Sequence, residues 1–198
     1  PGCIVFGITF GVLIAATIAV RVRASGALQR LRLTRVRAGE LLIGIALANM
    51  ALALIQLPIT YGAAVALGFK SSGAIWLMLS IGALLSLSAT GLGLITACFA
   101  RNDGEVAGLG SAVVLPLVFL SGALFSMPPL PLTTIGGVVV ELVDFMPTTH
   151  AVEALRRVMI YGDGPQAIGY ELLGLMALSG LYLAFGIFLY RHLQLQRV

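Results

Sequence analysis

Five long apolar runs alternate with short polar stretches along this chain, and the length of the runs is the first thing to explain. Gly2 to Val20 is uncharged over 19 residues. As a helix it is about 28 Å long, close to the ~30 Å hydrocarbon core of a bilayer. Leu41 to Leu67 follows, with Pro58 as an expected kink. Ala74 to Ala100, Val106 to Ser126 (with Pro116 inside) and Leu172 to Tyr190 complete the set. The pattern predicts an all-α, polytopic transmembrane helical bundle with five spans.

The pattern changes between the fourth and fifth runs. Met127-Pro128-Pro129-Leu130-Pro131 breaks the helix, and Leu132 to Val140 is too short to span, so it reads as an interfacial or re-entrant segment. After Pro147 a short helix is expected, capped by Thr148 or Thr149. Its period places Val152, Leu155 and Met159 on one face, and pairs Glu153 with Arg157 at i, i+4 on the other. Gly162-Asp163-Gly164-Pro165 ends it. Residues 127–169 thus form an external, re-entrant segment with short helices before the last span. With no internal repeat or low-complexity linker, residues 1–198 read as a single transmembrane domain.

Charge orients the bundle. Arg21, Arg23, Arg30, Arg32, Arg35 and Arg37 crowd the loop 21–40 between the first two runs. An arginine at the bilayer centre costs about 2.5–3.5 kcal/mol, so this loop stays on one side. With it in the cytoplasm, Arg101, Arg191 and Arg197 join it, giving nine basic residues inside against three outside (Lys70, Arg156 and Arg157). The positive-inside rule prefers that arrangement to its inverse. Five spans then put Pro1 outside and Val198 inside. A cytoplasmic N-terminus needs one more span upstream, so the chain is expected to be N-terminally truncated, its first span missing.

Composition supports the membrane reading: 59% of residues are hydrophobic and 10% charged, with a mean hydropathy of +1.05. The net charge of +4 sits in membrane-flanking loops without a basic groove or RNA-binding motif, which argues against a nucleic-acid partner. Cys3 and Cys98 are isolated in apolar runs, without metal-ligand or disulfide spacing. His150 stands near Asp144 and Glu153, but one histidine makes a poor metal or acid–base site, and a structural role is expected.

ATP chemistry is missing from the chain. The single lysine, Lys70, follows Phe69 in a turn, and no phosphate-gripping glycine loop precedes it. No catalytic residues, metal or cofactor are assigned. The spans carry no ionisable residue away from their ends, whereas a proton- or sodium-driven carrier is expected to keep one at mid-membrane. That points to a machine powered from outside the bilayer. Asn49 and Gln56 (i, i+7) and Ser86 and Thr90 (i, i+4) are mildly polar and read either as interhelical hydrogen-bonding groups or as candidate pathway-lining residues. Gly7-Ile8-Thr9-Phe10-Gly11 is a GxxxG that permits close helix approach.

In the arginine loop, Leu28 and Leu31 face one way while Arg30, Arg32 and Arg35 spread around the other. Residues 30–33 also alternate with period two, so helix and strand stay open. The loop is either an anchor on anionic membrane lipid or a short amphipathic segment docking into a cytoplasmic partner.

Three stretches in register resemble a known family. Ser25-Gly26-Ala27-Leu28-Gln29-Arg30-Leu31-Arg32-Leu33-Thr34, running into Glu40-Leu41-Leu42, resembles the stretch after the second span of ABC-2 type transporter permeases. Leu120-Ser121-Gly122-Ala123-Leu124-Phe125 with Pro128 to Pro131 is similar to the close of that family's fifth span. Met146-Pro147-Thr148-Thr149-His150-Ala151-Val152-Glu153-Ala154-Leu155-Arg156 resembles its proline-led helix before the sixth span. The daunorubicin-resistance-like branch is the most similar. Arg35 stands where the family often has proline, which leaves the boundary of the coupling helix open.

The resemblance implies the membrane subunit of an ABC exporter in a bacterial inner (plasma) membrane. It would move a drug-like, lipid or glycan substrate out of the cytoplasm as a permease homodimer or heterodimer. A separate ATP-binding ABC subunit would supply energy, so the chain itself is not an enzyme. Residues Leu28, Arg30, Leu31 and Arg32 would receive force from it as a coupling helix, with Arg101, Asp103 and Glu105 as a second cytoplasmic contact. The alternative is a non-transporting assembly or sensor protein that uses the basic loop for docking.

Overall fold

A computed structural model describes residues 1–25, 38–69, 73–124, 131–135 and 138–195. Among them, five helical segments are long and apolar enough to cross a membrane: Gly2–Ala24, Gly39–Ala66, Ile75–Phe99, Asp103–Leu120 and Gly169–Leu193. The first is made of α1 (Gly2–Thr9) and α2 (Gly11–Ala24), separated at Phe10. This interruption, which the apolar pattern does not announce, has a local cause. Thr9 Oγ1 donates back to Val5 O at 2.7 Å, a contact that bends helices, and Gly11 next to it is a weak helix former.

The second span is α3 (Ala38–Ala66), with Pro58 inside it. At 29 residues it exceeds the hydrocarbon thickness and must tilt or protrude. The third is α4 (Ile75–Phe99) and the fourth α5 (Asp103–Leu120), with Pro116 inside. Helix α5 stops before the expected Ser126 because Gly122, at φ 71°, takes the left-handed turn that commonly closes a helix. Over the stretch expected to be re-entrant, the backbone forms an antiparallel hairpin of β1 (Pro131–Ile135) and β2 (Val138–Glu141), Thr133 opposite Val140 and Ile135 opposite Val138.

A 3-10 turn (Leu142–Phe145) leads into α6 (Pro147–Arg156) and one wide π-type turn (Arg157–Tyr161), closed by Gly162 at φ 71°. The cap differs from expectation. Met146 is the cap residue and Pro147 opens the helix, a position where the missing N–H of proline is harmless. Thr148 instead donates to Leu117 O of α5 at 2.8 Å. The last span is α7 (Gly169–Tyr190).

The first and third spans form the centre, with 56% and 61% of their most apolar stretch buried, against 33%, 28% and 17% for the second, fourth and last. The outer three therefore leave apolar side chains such as Ile59, Phe119 and Phe188 on the surface, as expected of faces turned to lipid or another chain. Among the described residues three buried clusters run along the bundle, one of them formed by Val12, Ala89, Val114 and Val118. At one end Ile4, Val5 and Ile8 meet Met78, Ile81 and Leu85, with Leu155, Val158 and Met159 of the short-helix region pressed against them. At the other, Ala15, Ala16, Ala19 and Val20 meet Leu94, Ala97 and Tyr190. Between lipid-soluble helices burial gives no hydrophobic gain, so close packing and hydrogen bonds must hold them. The alanine-rich seam fits that need. So does the contact of Gly91 with Gly186, where the third and last spans meet backbone to backbone.

Candidate functional site

Arg21 and Arg23, which open the arginine loop, meet the 101–105 turn at the alanine-rich end. Arg21 and Arg23, in the last turn of α2, suit the negative end of that helix. Each reaches beyond it. Arg21 Nη2 lies 2.8 Å from Asp103 Oδ2, and its Nε donates to the same oxygen at 2.9 Å. Both partners are exposed, at 69% and 50%, so water screens the pair and it adds little to stability. Arg23 is half-buried and donates to Ala97 O and Ala100 O at the end of α4.

The turn between α4 and α5 is held on itself. Asn102 Oδ1 accepts from Glu105 N at 2.9 Å, and Glu105 Oε2 accepts from Arg101 N at 2.8 Å, a reciprocal cap. Asp103 and Glu105 also place negative charge at the positive end of α5. Arg101, Asp103 and Glu105 are thus exposed and fixed in one tight loop, joined through Asp103 to the start of the arginine loop. Leu28, Arg30, Leu31 and Arg32 lie outside the described residues. At the same level Tyr190 donates to Ala19 O at 2.9 Å, tying the last span to the first.

Three of the mild polar groups of the spans, Asn49, Ser86 and Thr90, form one hydrogen-bonded chain. Asn49 Nδ2 donates to Gly11 O at 3.1 Å and to Thr90 Oγ1 at 3.0 Å. Thr90 in turn donates to Ser86 O at 2.9 Å, and Ser86 to Ala83 O at 2.7 Å. Asn49, Ser86 and Thr90 are 5%, 1% and 0% exposed, and from inside the bundle the Asn49 amide joins the first three spans. Gln56 is half-buried, its amide against Gly7. The GxxxG face therefore receives the second span of the same chain, Gly7 under Gln56 and Gly11 under Asn49. Side chains on either glycine would overlap those amides.

Two polar contacts have no local signal in the sequence. Ser88 and Ser179 share a hydrogen bond of 2.8 Å between the third and last spans. Glu171, in the first turn of α7 and buried, meets Arg157 Nη2 at 3.4 Å. Arg157 also contacts Glu153 at 3.5 Å, the pair expected from spacing, and donates to Ala167 O at 3.1 Å. Val152, Leu155 and Met159 share the buried face that their period requires. His150 Nε2 lies 2.9 Å from Asp144 O and its ring packs on Tyr170, a structural placement. Among the described residues no group of three or more His, Cys, Asp or Glu side chains is arranged for a metal.

Comparison with known proteins agrees with this architecture. The chain is 30% identical over 126 residues to the inner membrane transport permease YhhJ of Escherichia coli (strain K12), a match covering 63% of this chain and 32% of that protein. It is 29% identical over 147 residues to ABC transporter G family member 20 of Dictyostelium discoideum, covering 73% of this chain and 19% of that protein. The matches thus span a third or less of the length of these relatives. The family model described as ABC-2 type transporter matches residues 1–160. Because that match covers most of the chain, from the first span through the short helix α6, the chain belongs to the ABC-2 type transporter family.

Proposed function

We propose that this chain is the membrane-spanning permease part of an ATP-driven ABC exporter, energised by a separate ATP-binding subunit. The observation that carries the reading is the meeting of Arg21 and Arg23, which open the arginine loop, with the end of the third span and the 101–105 turn, at one end of a bundle whose sequence lacks a phosphate-binding loop. The ATPase would dock there, on Leu28, Arg30, Leu31 and Arg32 together with Arg101, Asp103 and Glu105. That end would face the cytoplasm of a bacterium with an inner membrane, and the hairpin and α6 would face outside.

The packed interiors of the first three spans favour a pathway along the exposed faces, between two permease copies, identical or not. Of the four polar span residues, Gln56 is the half-exposed one and is our choice for a lining role. We place the chain in the daunorubicin-resistance-like branch, which its sequence most resembles, and propose a drug-like, lipid or glycan substrate.

Purified with and without an ABC ATP-binding subunit encoded beside it, the chain alone is expected to hydrolyse no ATP. The complex is expected to hydrolyse ATP and to transport in vesicles. Hydrolysis by the isolated chain, or transport driven by a proton gradient without ATP, would overturn the reading. Stable docking without transport of any tested substrate class would favour an assembly or sensor protein.

A further inference from the structure

Arg23 caps a helix that is not its own. Its Nη1 donates to Ala97 O at 3.4 Å and its Nη2 to Ala100 O. These carbonyls close α4, where a helix lacks amide partners of its own and carries the negative end of its dipole. One turn of chain further, Asp103 holds Arg21, and the residues between are locked by the Asn102–Glu105 and Arg101–Glu105 hydrogen bonds. The first residues of the arginine loop, the end of the third span and the start of the fourth are therefore one hydrogen-bonded unit.

We propose that Arg23 is a positioning residue that passes displacement of the arginine loop to the third span, with Arg21 and Asp103 carrying the same displacement to the fourth. A force applied to the loop then reaches the centre of the bundle directly, as well as through the two spans the loop connects. The inference rests on the proposed coupling role of the loop.

The test uses the permease in nanodiscs, alone and with its ATPase, as wild type, Arg23→Gln and Arg23→Lys, the last retaining a cationic donor. In the permease alone, spin labels at Ser25→Cys and Gly104→Cys, with Cys3 and Cys98 replaced by Ser, report the distance between the two loops. A narrow distribution is expected for wild type and Arg23→Lys, and a broad one for Arg23→Gln. In the complex, Arg23→Gln is expected to leave ATPase co-purification intact while substrate moved per ATP falls about 2- to 30-fold, with partial recovery in Arg23→Lys.

An unchanged distance distribution in Arg23→Gln would overturn the proposal. So would a broadened distribution with an unchanged transport-to-ATP ratio, which leaves Arg23 a helix cap only. Loss of ATPase binding would overturn it too, by placing Arg23 in the docking face. If the wild type binds no ATPase, the exporter reading itself fails, and the distance measurement alone then decides whether the unit exists.

Discussion

Adding one methyl group at Gly186 should separate the third and last spans. A Cβ built there lies 2.5 Å from Gly91 O and 3.1 Å from its carbonyl carbon and Cα, well inside the contact distance of about 3.5–4.0 Å. The obstacle is backbone, which cannot rotate away, so the helices must shift apart. Overpacking of this kind costs about 1–3 kcal/mol. Against it stands the helix preference of Ala over Gly, at most about 1 kcal/mol. Gly180 supplies the control, because it lies on the same helix with nothing within 4 Å of its built Cβ. Gly180→Ala should be neutral or mildly stabilising, while Gly186→Ala should be less stable than Gly180→Ala by about 1–3 kcal/mol. The measurement is an SDS titration from mild detergent micelles followed by circular dichroism, comparing midpoints of the two variants. Separation should also loosen the neighbouring Ser88–Ser179 hydrogen bond, so Ser179→Ala should lose part of its own effect in the Gly186→Ala background. Equal midpoints for the two glycine variants would refute the glycine-to-glycine contact.

Asn49→Ala removes two interhelical hydrogen bonds, each worth roughly 0.6 kcal/mol in a membrane protein, so the same titration should show a loss of about 1 kcal/mol; no loss would mean the amide is not bridging Gly11 and Thr90. Arg157→Gln leaves the buried Glu171 carboxylate without its cation and should cost about 1–3 kcal/mol, more than Glu171→Gln, because Arg157 itself is 38% exposed and stays hydrated; the reverse ranking would count against the pair. Truncating Leu28 and Leu31 to Ala should release the ATPase, since each buried leucine is worth roughly 1.5–3 kcal/mol, while Arg30→Gln with Arg32→Gln should do less. Co-purification decides, and a silent leucine pair would make the loop a lipid anchor. Single cysteines at Ser25 and Asp163 should label from opposite sides of the membrane, and labelling from the same side would sink the topology.

Local physics makes the spans legible in the amino-acid sequence alone. A bilayer demands a fixed length of uncharged helix, so the five runs stand out by length. Arginine cannot cross that layer, so Arg21 and its neighbours mark a loop. The amphipathic period exposes the buried stripe Val152, Leu155 and Met159 and the Glu153–Arg157 pair, because α6 has a polar face to contrast with its apolar one. The spans have no such contrast. Each is apolar all round, so nothing in the pattern says which face of α4 meets α7, or that Gly91 lies on Gly186.

Contacts of that kind join residues far apart in the chain. Asn49 finds Thr90 across 41 residues, Arg23 finds Ala100 across 77, and Ser88 finds Ser179 across 91. Periodicity carries information over a few turns, whereas these partners are chosen by how whole helices cross. Thr148 shows the same competition on a small scale: propensity offers it the cap of its own helix, and packing against the fourth span gives it Leu117 O instead. Which polar groups end in the interior, and which loops are fastened to each other, follows from the crossing geometry of helices whose surfaces are chemically alike.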